Sequence, residues 1–100
     1  MIKKYILFSA LFFCAVASVS AQAERKYIRQ GNKEYKSDKF DESEILYRRA
    51  LEKDQESFEG EFNLGDAMYK QEKYEDAAKN FNKLAENEED PLKLSALYHN

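Results

Sequence analysis

Apolar and small residues recur along this chain at the spacing of one helix face, and the whole pattern then repeats. Across residues 58–70, Phe62, Leu64, Gly65, Met68 and Tyr69 carry the apolar stripe, and a polar break at Glu72 and Lys73 follows. Tyr74, Ala77, Phe81 and Leu84 then mark a second stripe. Spacing of i, i+3, i+4 and i+7 predicts amphipathic helices. The same arrangement stands 34 positions earlier, where Gly31 matches Gly65, Tyr35 matches Tyr69, Lys36 matches Lys70 and Lys39 matches Lys73. Phe40 likewise matches Tyr74, Ser43 matches Ala77 and Tyr47 matches Phe81. A fixed period of this length is the signature of a helix–turn–helix repeat.

Taken in order, residues 24–36 predict a first helix with Tyr27, Ile28, Gly31 and Tyr35 on one stripe, closed by a polar turn at 37–39. Residues 40–53 predict a second, with Phe40, Ser43, Tyr47, Ala50 and Leu51 inside. Glu44 and Arg48, four apart on its surface, add roughly 0.2–0.5 kcal/mol. A link at 54–57 follows, with Ser57 as N-cap of the third helix, 58–70. The fourth runs from Tyr74 to about Glu86 and is expected to bury Ala77, Ala78, Phe81, Leu84 and Ala85. Carboxylates at 86–90 oppose the dipole at its C-terminal end, so the helix should stop there in a solvated linker. Asp90 as N-cap and Pro91 at the first helical position then open a fifth helix, carried by Leu92, Leu94, Ala96, Leu97 and Tyr98. No polar capping helix follows, and the chain is expected to be a fragment of a longer protein.

The N-terminus has a different grammar. Lys3 and Lys4 form a short basic start, residues 5–19 are almost unbroken apolar, and Val19-Ser20-Ala21 supplies small residues for a peptidase. That is the three-part layout of a secretory signal peptide spanning residues 1–21. An uncleaved anchor is the competing reading, but the apolar run is short of the roughly 20 residues that span a bilayer. A lipoprotein cysteine at Cys14 would need small residues before it, and Phe12 and Phe13 stand there. Cleavage after Ala21 would remove the one cysteine and leave no thiol for a disulfide, a metal or a nucleophile. The leader predicts a periplasmic or secreted bacterial product with no membrane span once it is removed.

At 100 residues the chain holds one small domain. The net charge is −3, and without the leader 14 basic residues face 19 acidic ones, a balance of −5. An acidic surface argues against nucleic acid as the partner. The aromatic residues sit at helical spacing and read as core instead of a base-stacking platform.

The repeated residues resemble the tetratricopeptide repeat over residues 24–100. Gly31 and Gly65 occupy the small position of the first helix, Tyr35 and Tyr69 follow, Phe40 and Tyr74 come after the turn, and Ser43 and Ala77 take the small position of the second helix. Tyr47, Phe81 and Ala50 complete the match. The resemblance implies an all-α fold, a right-handed superhelix of antiparallel helix pairs. Its units would be a first repeat at 24–57, a second at 58–91 and the first helix of a third at 92–100. Glu34 at a usually apolar position, Leu84 at a usually small one and the absence of a Pro closing the first repeat depart from the pattern. The leader with residues 24–32 and 47–51 is also similar to exported repeat proteins of the bacterial aerotolerance (Bat) operon. That likeness implies membrane-anchored von Willebrand A-type proteins as partners and a place in oxidative-stress or envelope assembly.

No constellation for catalysis is present, and no cofactor is expected. His99 is the single histidine, the serines lack a base at any interpretable spacing, and no Gly-rich phosphate loop occurs. The fold class instead implies a concave groove lined by first helices, the usual peptide-binding surface of such repeats. Its candidate residues are Arg29, Asn32, Lys33 and Lys36 in the first repeat and Asn63, Asp66 and Lys70 in the second. Some repeats of this family grip a C-terminal carboxylate with two Asn and basic residues. Asn32 and Asn63 fall on the Asn positions, while Ile28 stands where a Lys is expected. The chain is thus expected to be a non-catalytic scaffold of the bacterial envelope that recruits protein partners. The alternative is an accessory module of a larger envelope enzyme or transporter.

Overall fold

The computed structural model describes residues 2–99, with side chains over residues 18–98. Five helices follow one another: α1 (Ile2–Lys36), α2 (Phe40–Lys53), α3 (Phe58–Lys70), α4 (Tyr74–Asn87) and α5 (Pro91–His99). No strand occurs among the described residues. Each helix packs chiefly against the next in the chain, and α1 also touches α3. The result is an all-helical, repeat-like stack.

One boundary differs from expectation. The first helix does not start at Glu24 but runs unbroken from Ile2. Neither Gly nor Pro occurs before Gly31, and Ala and Leu favour helix, so nothing in the sequence interrupts the backbone ladder. Most of the leader's side chains, Cys14 included, lie outside the described residues, as does the side chain of His99.

The two turns that fold each pair are copies of one another. Asp38 N–H donates to Tyr35 C=O at 3.1 Å and Lys39 N–H to Glu34 C=O at 3.0 Å. In the second pair Glu72 N–H donates to Tyr69 C=O at 3.0 Å and Lys73 N–H to Met68 C=O at 2.9 Å. This double bond pattern is the Schellman closure of a helix C-terminus, which needs a left-handed residue. Asp38 (φ 61°) and Glu72 (φ 64°) supply it without a glycine. The helices that follow, α2 and α4, begin without a side-chain cap, but each has two acids in its first turn.

Helices α3 and α5 are capped instead. Ser57 Oγ accepts from Gly60 N–H at 3.0 Å and donates to Glu24 Oε1 at 2.6 Å, joining the start of α3 to α1. Asp90 Oδ1 accepts from Leu92 N–H at 3.0 Å at the start of α5.

The core gathers Tyr47, Leu64, Ala67, Met68 and Ala77, with Tyr35, Leu51 and Phe81 against it. Helices meet closely at the glycines. A Cβ on Gly31 would stand 2.5 Å from the Tyr47 ring, and one on Gly65 would stand 2.7 Å from the Phe81 ring. Both rings therefore lie flush on backbone, which is why a side chain is excluded at these two positions. In α3 and α4 two expectations of burial fail: Ala78 and Tyr69 are exposed, Tyr69 at 52%. Tyr69 stacks edge-on against Tyr74, itself 53% exposed, at a ring separation of 5.1 Å. Of the apolar residues expected to seat α5, Leu97 is buried and Leu94 half-buried, while Leu92, Ala96 and Tyr98 are exposed.

Candidate partner-binding groove

Between α1 and α3 lies a hollow of about 250 Å³, lined by Asn32, Tyr35, Lys36, Tyr47, Asn63 and Asp66. Helical spacing puts Asn32, Tyr35 and Lys36 on one side of α1, and Asn63 and Asp66 on one side of α3. Tyr47 reaches the hollow from α2. Its ring is buried against Gly31, and the hydroxyl extends past the glycine to donate to Asn32 Oδ1 at 2.7 Å. Asn63 Nδ2 donates to the same oxygen at 3.2 Å. Asn32 thus ties all three helices together with one carbonyl.

The electrostatics follow from partial desolvation. Burial pushes the Asp66 carboxyl up to about 6, with Lys70 pulling the other way. Burial also raises the Tyr47 hydroxyl, and Tyr35, Asp66 and Glu59 add to the rise. Tyr35 is raised by burial and by Asp66. Both phenols therefore stay protonated and serve as neutral donors or acceptors. The groove offers two amides, two phenols, a carboxyl and a lysine: a surface for hydrogen-bonding a polar segment, with no nucleophile–base pair in it.

Of the seven residues singled out from sequence, Asn32, Lys36, Asn63 and Asp66 line the groove, and Lys70 acts on Asp66 from beside it. Arg29 does not line it. It flanks a separate hollow with Ala21, Gln22 and Arg25, toward the leader end of α1 and away from the middle of α3. Lys33 is exposed and does not line the groove either, because one step from Asn32 turns a helix by about 100°. The apolar stripe places Tyr35 and Tyr47 in the core alone, yet both face the groove. A buried Tyr needs a partner for its hydroxyl, and that need is the signal that points from Tyr47 to Asn32.

Comparison with protein-family models, curated proteins and solved structures finds no match to this chain. The geometry stands alone. Among the described residues no group of three or more His, Cys, Asp and Glu is gathered where it could hold a metal ion. Among the same residues no helix is long and apolar enough to cross a membrane.

Proposed function

We propose that this protein is an exported, non-catalytic interaction scaffold of the bacterial envelope, built of tetratricopeptide-like repeats, that takes a segment of a partner protein in the groove between α1 and α3. The observation that carries the reading is the convergence of Asn32, Tyr35, Lys36, Asn63 and Asp66 from two helices on one hollow, floored by the Tyr47 hydroxyl. Polar groups held in place by packed helices bind at lower entropic cost than groups on loops. Export rests on the leader, and a membrane-anchored von Willebrand A-type protein is the partner class that the aerotolerance resemblance suggests.

The test is an affinity capture from envelope extract with the full chain, read by mass spectrometry. Asn63→Ala and Asp66→Ala should each abolish capture of the same partner. Lys79→Ala, on the exposed side of α4, should leave capture intact. Capture unchanged by both groove variants would count against the groove. Export is checked separately by a mass shift matching loss of residues 1–21.

A further inference from the structure

A second cleft, sharing no residue with the groove, opens at the other end of α3. Its volume is about 520 Å³, and its lining includes Glu56, Phe58, Glu61, Lys83, Leu84 and Glu88. Glu56, Glu61 and Glu88 line it with Lys83, and Lys93 reaches its edge through Glu88. Glu61 is only 8% exposed, yet its charged neighbour is Lys83 Nζ at 3.8 Å, beyond hydrogen-bonding distance, on a side chain that is itself 64% exposed. A carboxylate buried this far normally has a close donor. Phe58 supplies an aromatic face beside it, and Lys93 Nζ already sits over that ring, 5.0 Å from its centre and 3.9 Å from Glu88 Oε2. The molecule thus carries its own example of an ammonium held between this ring and this carboxylate.

We infer that the cleft is a docking site for a lysine side chain of a partner protein segment, with Glu61 as the buried counter-charge, Glu56 and Glu88 on the walls and Phe58 as the aromatic face. Ser57 does not compete for that role, since its hydroxyl is spent on Gly60 and Glu24. Lys93 is the internal competitor for the Phe58 face, and an incoming lysine either displaces it or sits beside it against Glu61. A protein lysine is favoured over a free polyamine because Leu84 and Gln55 give the cleft walls that a peptide backbone and methylene stem can follow.

The experiment titrates the full chain with a fluorescent, end-blocked peptide of alternating lysine and glycine, read by anisotropy. Expected is saturable binding that weakens with salt, is lost when the lysines are acetylated, and falls at least about tenfold in Glu61→Gln. Circular dichroism melts confirm that this variant folds. Lys93→Gln, which removes the competitor, should tighten binding. Asp66→Asn, in the groove of the proposed function, should leave the affinity for this peptide unchanged, so the two sites fail independently. Equal affinity for the acetylated peptide, no loss in a folded Glu61→Gln, no gain in Lys93→Gln, or tighter binding of spermidine than of the peptide would each overturn the assignment.

Discussion

The pair α1–α2 and the pair α3–α4 are built on one plan, but they differ in how well each is closed. In the first pair the ring against the helix glycine is Tyr47, 1% exposed and pinned through its hydroxyl to Asn32. In the second it is Phe81, only half-buried and without a polar tip. The Tyr35–Phe40 contact is half-buried, whereas its counterpart Tyr69–Tyr74 lies open. The cause is the neighbour. Gln71 and Lys73, from the turn of the second pair, fold over the edge of the first: Gln71 Nε2 donates to Phe40 C=O at 3.3 Å and to Glu44 Oε1 at 2.9 Å. Lys73 Nζ reaches the same carboxylate at 2.9 Å. The residue matching Glu44 in the second pair is Ala78, and it faces solvent. A repeat is thus completed by the next one, as nearest-neighbour stacking requires.

The sharpest test of that difference is a methyl group. Gly31→Ala and Gly65→Ala both gain about 1 kcal/mol of helix propensity, so their difference isolates the ring opposite. Tyr47 is enclosed and tethered, and Gly31→Ala should destabilise toward the upper end of roughly 1–3 kcal/mol. Phe81 has room to shift, and Gly65→Ala should cost about 1 kcal/mol less. Urea unfolding of both variants measures this directly. Equal losses would mean that the two pairs are equally tight.

Next in size is the clamp between the pairs. Burial pushes the Glu44 carboxyl up, but hydrogen bonds from Lys73, Gln71 and Arg48 outweigh it and leave the group below its ordinary 4.5. A lowered folded value favours the ionised form, so this stability is present above pH 4.5 and fades as pH falls through the folded value. Glu44→Gln should cost about 1 kcal/mol at pH 7, given that Lys73 and Arg48 are half exposed. At pH 3 the loss should shrink. A loss that is constant from pH 7 to 3 would rule out an ionic clamp.

Asp66 runs the opposite way and should matter less. Its folded value of about 6 exceeds the ordinary 3.8, so between those values the folded chain holds a proton that the unfolded chain has released. Stability should therefore fall as pH rises from about 4 to 6, by about 1 kcal/mol or less once solvent screening is allowed for. Asp66→Asn should flatten that part of the profile and leave the melting temperature at pH 3 unchanged.

Much of this was legible in the sequence, and the rest failed for nameable reasons. The bounds of α2 and α3 follow from Phe40, Ser57 and the polar turns, which act over a few residues. The Gly31–Tyr47 and Gly65–Phe81 contacts follow from the period. Ala78 departs from expectation because a periodic stripe reports which way a side chain points, and only the neighbouring repeat decides whether anything covers it. The acidic run makes Glu88 look like part of a solvated linker, yet its side chain is 20% exposed, accepts from Asp90 N–H at 2.9 Å and closes the cleft at the start of α3. That cleft joins residues 55–61 to 83–88 across two links, and no periodicity marks such a juxtaposition.

The smallest predicted effect probes the turns, where the two pairs match in backbone and differ in side chain. Asp38 and Glu72 hold nearly the same left-handed φ, 61° and 64°. That region costs an L-residue roughly 1–2 kcal/mol, and Asp or Asn tolerates it better than a longer chain because a short polar group bonds its own backbone. Glycine removes the strain, but it also gives the unfolded chain more freedom to lose. Glu72→Gly should therefore stabilise by about 0.5 kcal/mol, while Asp38→Gly should be near neutral. Thermal melts of the two variants side by side decide it. A larger gain at Asp38 than at Glu72 would mean that the strain sits in the better-covered pair, against the ordering argued from packing.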